Sequence, residues 1–236
     1  FNGEIYNFIS LKEELLCKGY IFKSESDSEV LVNYFECFGI QKTLNVIEGM
    51  FAIALYDIAN KSISLIRDFA GIKPLFYSYN TGNVVFGSRY DQVAKHKNSI
   101  DNGIDQEVLR TYLKMHYIPA PYGILKDTFQ VYPGECVNID SKGKLSKYTY
   151  WEFPALSEED LIFDKEEALQ FLDSRLKESV KDQLEADVPL GTFLSGGIDS
   201  PLVTSYAKTS KDNLKAFTIG SDSKVHDESE DAKTYA

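Results

Sequence analysis

The sequence predicts an α+β layered domain followed by the opening of a doubly wound α/β domain. Two helices with apolar residues at helical spacing precede a meander of alternating strands. Between Leu190 and Ser221 a strand, a two-glycine turn, a helix and a second strand succeed one another. A long amphipathic helix over 165–186 leads into that second pattern. With 236 residues the chain is long enough for two modest domains, expected at 1–153 and 165–236 with a polar linker over 154–164.

In chain order, Asn2-Gly3 marks a tight turn. Leu11, Leu15 and Leu16 stripe a first helix that ends near Gly19. A second helix is expected from Val30 to Phe38, with Asp27 or Ser28 as its cap and Gly39 as its stop. A short helix near Thr43–Val46 follows. Strands are expected over Gly49–Asp57, Ser62–Arg67, Pro74–Tyr79 and Val84–Ser88, joined by hairpins at Ala59-Asn60-Lys61 and Asn80-Thr81-Gly82-Asn83. Ile104–Met115 reads as a helix. Ile124–Phe129, Glu135–Ile139 and Lys147–Trp151 complete the first domain as strands. Ala168, Phe171, Leu172, Leu176 and Val180 form the apolar stripe of the long helix and are expected to be core.

The segment from Val188 to Pro201 carries the clearest chemistry. Leu190, Thr192, Phe193 and Leu194 form a short apolar run that reads as a buried strand. Gly196 and Gly197 take backbone angles other residues avoid. Asp199 and Ser200 suit an N-cap, and Pro201 the first helical turn. Small side chains and free N–H groups at a helix N-terminus attract phosphate, and Ser195 and Ser200 add hydroxyls. Asp199 would repel phosphate unless a Mg²⁺ lay between them, which makes it the candidate metal contact. A plain strand-to-helix turn also accounts for these residues. The motif is neither a Walker A loop, which needs Gly-Lys-Ser/Thr, nor the dinucleotide fingerprint. Ser-Gly-Gly-x-Asp-Ser resembles the pyrophosphate-binding loop of the N-type ATP pyrophosphatases.

At the other end of the chain, Asn2 and Gly3 offer an amide and a backbone N–H that could hold an oxyanion. Glu4 and Asp27 could hold an ammonium. A bare turn and a helix cap explain the same residues. The cysteines Cys17, Cys37 and Cys136 form no CxxC pair, so neither a disulfide framework nor a zinc site is indicated, and each is expected to be a buried structural thiol in a reducing cytoplasm. Net charge is −11, which disfavours nucleic acid and anionic membranes as partners. His226 has no ligand partner at metal spacing, and the acidic run Asp227–Asp231 reads as a charged helix start.

Four segments then occur in order: Phe1-Asn2-Gly3-Glu4-Ile5-Tyr6-Asn7, Ser26-Asp27-Ser28-Glu29, Glu48-Gly49-Met50-Phe51-Ala52 and Arg67-Asp68-Phe69-Ala70-Gly71-Ile72-Lys73-Pro74-Leu75. Together they resemble the glutaminase domain of the glutamine-dependent asparagine synthetase family. That resemblance implies the four-layer α/β/β/α sandwich of N-terminal-nucleophile hydrolases. It implies that Asn2 and Gly3 form an oxyanion hole and that Asn2, Glu4 and Asp27 bind glutamine. The family's nucleophile is an N-terminal Cys, which the resemblance places well upstream of Phe1, so these residues alone are expected to lack glutaminase activity. Phe217–Gly220 and His226–Ser229 also look like this family, which implies that Leu194, Ile219 and Gly220 contact adenine while Ser195, Gly196, Gly197, Asp199 and Ser200 hold the phosphates of ATP.

The whole resemblance implies amidation of aspartate through β-aspartyl-AMP, with glutamine, aspartate and Mg-ATP as substrates and an internal ammonia path. A homodimer is common in the family. Relatives with these domains amidate sugars or peptide carboxylates, and β-lactam synthetases close a ring instead. A different class of reading is a catalytically incomplete nucleotide-binding module. The sequence departs from the family at Phe69 and Ala70, where Arg and an aromatic or Leu are usual, and at Arg89, where Ser-Glu usually ends the strand. Seventy-odd residues are few for a doubly wound domain, so the second domain is expected to continue past Ala236.

Overall fold

The computed structural model describes residues 1–80, 82–186, 188–222 and 227–236. Two compact units make up the chain, Phe1–Pro154 and Ala155–Ala236.

In the first unit, β1 (Asn2–Ile5), β2 (Gly49–Asp57), β3 (Ser62–Arg67), β7 (Glu135–Ile139) and β8 (Leu145–Thr149) form one antiparallel sheet in the order β1-β2-β3-β7-β8. A second antiparallel sheet has the order β5-β4-β6, from β4 (Phe76–Asn80), β5 (Asn83–Gly87) and β6 (Thr128–Gln130). The helices are α1 (Phe8–Cys17), α2 (Asp27–Leu44), α3 (Tyr90–Ala94) and α4 (Gln106–Met115).

The period-two alternation of the strands divides the core into two layers. Phe51 and Ile53 of β2 and Ile66 of β3 face Leu11 and Leu15 of α1 and Val30, Leu31, Tyr34 and Phe35 of α2. The neighbouring residues Ala52, Leu65, Val137 and Ile139 point the other way, against Tyr77 of β4 with Leu75 and Val131. On the outer side of the second sheet, Phe76 meets Tyr90 of α3 edge to face at 5.4 Å. The layers are therefore helix, sheet, sheet, helix, as the sequence led one to expect.

Local details differ from expectation in three places. The side chain that caps α2 is Ser26, which accepts the Ser28 N–H at 3.2 Å, whereas Asp27 and Ser28 were the expected caps. Asp27 is drawn elsewhere: its carboxylate accepts the Ile5 N–H at 3.1 Å and ties the start of α2 to β1. Gly39 does interrupt the helix, at φ 78° and ψ 171°, but helical residues resume and run to Leu44. Cys17 is exposed and Cys37 half-buried; only Cys136 is the buried thiol expected of all three, and burial pushes its pKa up.

In the second unit, β9 (Gly191–Phe193) and β10 (Lys215–Phe217) pair in parallel, Gly191 opposite Lys215 and Phe193 opposite Phe217. They are joined by α6 (Asp199–Ser210) and accompanied by α5 (Lys165–Asp182) and α7 (Ser229–Tyr235). This is the βαβ unit read from the sequence. Two expectations fail here. The run over 190–194 is buried only in part: Leu194 is buried and Leu190 and Thr192 half-buried, but Phe193 is 76 % exposed. The α5 stripe is not core, with Phe171 and Leu172 51 % and 53 % exposed. The reason is architectural: a two-stranded parallel sheet lacks the second layer that would cover both faces. No helix of the described residues is long and apolar enough to cross a membrane.

Candidate functional site

The first cluster lies on β1, an edge strand. Its register sets Asn2 opposite Ala52, Gly3 opposite Phe51 and Glu4 opposite Met50. Only glycine fits at position 3, because a Cβ there would lie 2.0 Å from the Met50 carbonyl oxygen. Gly49 is confined in the same way, with a Cβ 2.1 Å from the Glu4 carbonyl oxygen. The two glycines let β1 and β2 approach closely and fix where Asn2 and Glu4 emerge. The Asn2 Nδ2 donates to Ser88 Oγ at 2.9 Å, which links the edge of the first sheet to the end of β5 in the second.

Asp27 brings a second carboxylate to the same strand through the Ile5 N–H. Burial raises the pKa of the neighbouring Tyr6, and the negative charges of Glu4 and Asp68 add to the rise. A negative field at this end of β1 has the sign that holds an ammonium.

Beneath β1 sits a polar scaffold whose role the sequence did not reveal. Asp68 is fully buried and accepts the N–H groups of Phe51 at 3.2 Å, Ile72 at 2.8 Å and Lys73 at 2.9 Å. Arg67, beside it, donates to the carbonyls of Lys73, Val131 and Gly71 at 2.9, 2.9 and 2.6 Å. Burial pulls the Arg67 pKa down, and Asp68 opposes that shift. Gly71 turns the loop at φ +68°. The two charged side chains knit the loop after β3 to β2 at Phe51, the residue opposite Gly3. Arg-Asp at a strand end followed by Gly was the only signal available. Phe69 stacks on Trp151 with centroids 4.7 Å apart.

Cys136 cannot serve this cluster as a nucleophile. It lies on β7, three strands from β1 in the sheet, or about 14 Å at the usual strand spacing.

The second cluster is the loop after β9. The Leu194 N–H donates to the Phe217 carbonyl at 2.8 Å, and Thr218 Oγ1 donates to the Leu194 carbonyl at 2.9 Å. These bonds fix Leu194 beside Phe217 and Thr218 at the carboxyl ends of the parallel strands, where open α/β sheets bind ligands; no bond joins Leu194 to Ile219 or Gly220 among the described residues. Ser195 N–H donates to Ser200 Oγ at 2.9 Å, the two hydroxyls are 2.7 Å apart, and the Gly197 N–H reaches Ser195 Oγ at 3.4 Å. Ile198, not Asp199 or Ser200, occupies the cap position of α6, and Asp199 is its first helical residue. Ser200 is diverted from capping because its hydroxyl closes the loop on Ser195.

Glu228 and Asp231 join this loop from the start of α7. The Glu228 carboxylate accepts the Gly196 N–H at 3.0 Å. A Cβ on Gly196 would lie 2.7 Å from Asp231 Cβ, so only glycine fits. The acidic run was read from sequence as a helix start alone; a contact across 32 positions leaves no local trace. No group of three or more His, Cys, Asp or Glu among the described residues could hold a metal ion by itself. His226 lies outside the described residues.

The glutamine amidotransferase domain family matches residues 1–151, and the asparagine synthase family matches residues 172–236. The chain is 35 % identical over 240 residues to asparagine synthetase [glutamine-hydrolyzing] 1 of Bacillus subtilis, covering 100 % of this chain and 36 % of that protein. It is 31 % identical over 226 residues to asparagine synthetase [glutamine-hydrolyzing] 3 of the same organism, covering 93 % and 36 %. The chain thus spans about a third of the length of these curated relatives. Among solved structures, glutamine phosphoribosylpyrophosphate amidotransferase from B. subtilis aligns over 92 % of this chain and 44 % of its own, at 14 % identity and a TM-score of 0.45, a likeness too distant to bear on function. On the two family matches and on relatives spanning the whole sequence, the chain belongs to the glutamine-dependent asparagine synthetase family, with a glutamine amidotransferase domain followed by asparagine synthase sequence.

Proposed function

We propose that this chain supplies parts of both active sites of an asparagine synthase that takes its nitrogen from glutamine. The observation that carries the proposal is the pairing, in one chain, of the Asn2–Asp27 cluster within the amidotransferase match and the 194–200 loop within the asparagine synthase match.

In the first unit, Glu4 and Asp27 hold the α-ammonium of glutamine. The Asn2 amide and the Gly3 N–H stabilise the negative charge that develops on the amide oxygen during hydrolysis. In the second unit, N–H groups of Gly196 and Gly197 and the hydroxyls of Ser195 and Ser200 hold the phosphates of ATP at the start of α6. Leu194, Ile219 and Gly220 bound the adenine. Asp199 would hold Mg²⁺ through the pyrophosphate, where the ion offsets charge on the leaving group. Adenylation joins the aspartate side-chain carboxylate to AMP with release of pyrophosphate; ammonia then attacks the acyl carbon and AMP leaves.

Three free thiols, one of them exposed, suit a reducing compartment, and we place the protein in the cytoplasm. The test uses the full-length protein with amide-¹⁵N-labelled glutamine, aspartate and Mg-ATP. Label in the side-chain amide of asparagine is the expected result. Label in an amidated sugar or peptide with none in asparagine would replace aspartate as the acceptor.

A further inference from the structure

We propose that Ser88 is a positioning residue for the Asn2 amide, an inference that rests on the oxyanion role proposed for Asn2. Asn2 sits on an exposed edge strand, where an amide side chain has two free torsions and a solvent-facing tip. Its side-chain partner is the Ser88 hydroxyl, at 2.9 Å from Nδ2. An amide nitrogen carries two hydrogens. Ser88 takes one, which fixes the plane of the amide and turns its NH₂ end, not its oxygen, toward a set direction. The second hydrogen is left for an anion.

Ser88 is flanked by residues that are themselves bonded. On one side Gly87 is paired with Phe76 in the sheet. On the other, Arg89 clasps Asp91 through two bonds of 3.0 and 3.1 Å at the entry to α3. The residue at the α3 cap is Arg89, whose side chain makes no capping bond, and Ser88 stands just before it with its hydroxyl directed across to β1. The hydroxyl therefore reaches from the second sheet to the first. Without it the amide is free to rotate, and an oxyanion donor that is displaced or reversed loses most of its effect on rate.

The experiment follows glutamine hydrolysis by the full-length protein, comparing the wild type with Ser88→Ala, Ser88→Thr, Asn2→Ala and the double variant. Ser88→Ala is expected to lower kcat about ten- to a hundredfold, with KM for glutamine changed less than about twofold because Glu4 and Asp27 are untouched. Ser88→Thr, which keeps the hydroxyl, restores kcat. The double variant is no slower than Asn2→Ala alone. Ammonia-supported synthesis stays at the wild-type rate in Ser88→Ala and Ser88→Thr, which shows that the fold is intact. Should Ser88→Ala unfold, Ser88→Cys, similar in shape and a weak acceptor, makes the same comparison. A wild-type kcat in Ser88→Ala beside a slow Asn2→Ala would overturn the positioning role alone. A wild-type kcat in Asn2→Ala would overturn the oxyanion reading and the positioning role with it.

Discussion

The Glu228 carboxylate accepts the Gly196 N–H at 3.0 Å, across 32 positions of sequence, and so occupies a donor of the loop that opens α6. A carboxylate and a phosphate oxygen compete for such a group, since both are anionic acceptors. Glu228→Gln should therefore tighten binding of pyrophosphate about three- to fivefold at low ionic strength, with the gain shrinking as salt is added. Titration calorimetry on the full-length protein at two salt concentrations checks this. Weaker binding in the variant would mean that Glu228 assists the ligand instead of competing with it.

Gly3 admits no side chain, because a Cβ would meet the Met50 carbonyl oxygen at 2.0 Å, and that atom is backbone and cannot swing away. Gly3→Ala should force β1 from β2 and cost about 2–4 kcal/mol of stability. Denaturant unfolding followed by far-ultraviolet circular dichroism measures the loss. A midpoint equal to wild type would show that the edge strand yields without cost.

Asp68→Ala would leave three buried or half-buried N–H groups, those of Phe51, Ile72 and Lys73, without their acceptor. Each bond to a charged acceptor contributes about 1.5–3 kcal/mol, so the expected destabilisation is at least about 3 kcal/mol. Asp68→Asn should recover part of it, since one amide oxygen can still accept. Equal loss in both variants would place the effect in the charge, not in the acceptor geometry.

Tyr34 is fully buried between α1 and α2, and its hydroxyl donates to Glu14 at 2.6 Å. Burial first, then the bond and the charge of Glu14, push its pKa up to about 12 from 10.0. The folded-state value is raised, so the associated stability is complete below pH 10.0 and is lost as pH rises through about 12. Alkaline titration followed by phenolate absorbance should show one late-titrating tyrosine fewer in Tyr34→Phe than in wild type, with Tyr148 and Tyr150 titrating late in both. An unchanged number of late-titrating groups would show that Tyr34 is not one of them.

Elements with local signals were legible in the sequence. The alternation of Phe51 and Ile53 with Ala52 marked β2 as a strand between two layers, and the glycines at 196 and 197 marked the loop before α6. What failed depended on distant partners. Asp27 looked like a cap because acids cap helices, but the Ile5 N–H claims its carboxylate. Phe171 and Leu172 looked like core because their spacing is helical, yet burial needs a covering layer as well as a stripe. Arg67 and Asp68 stood in a motif without a role until the loop they brace was visible. Glu228 and Ser88 contribute through contacts that no window of sequence contains.

The proposed function requires one protein to couple glutamine hydrolysis in the first unit to ATP-dependent amidation begun in the second. Its most direct test measures glutamate, pyrophosphate and asparagine together, in the full-length protein supplied with Mg-ATP, aspartate and either glutamine or ammonia. Aspartate-dependent pyrophosphate release is expected with both nitrogen donors, with asparagine formed in equal amount and glutamate only when glutamine is present. Pyrophosphate release that ignores aspartate, or none at all with ammonia, would overturn the proposed function.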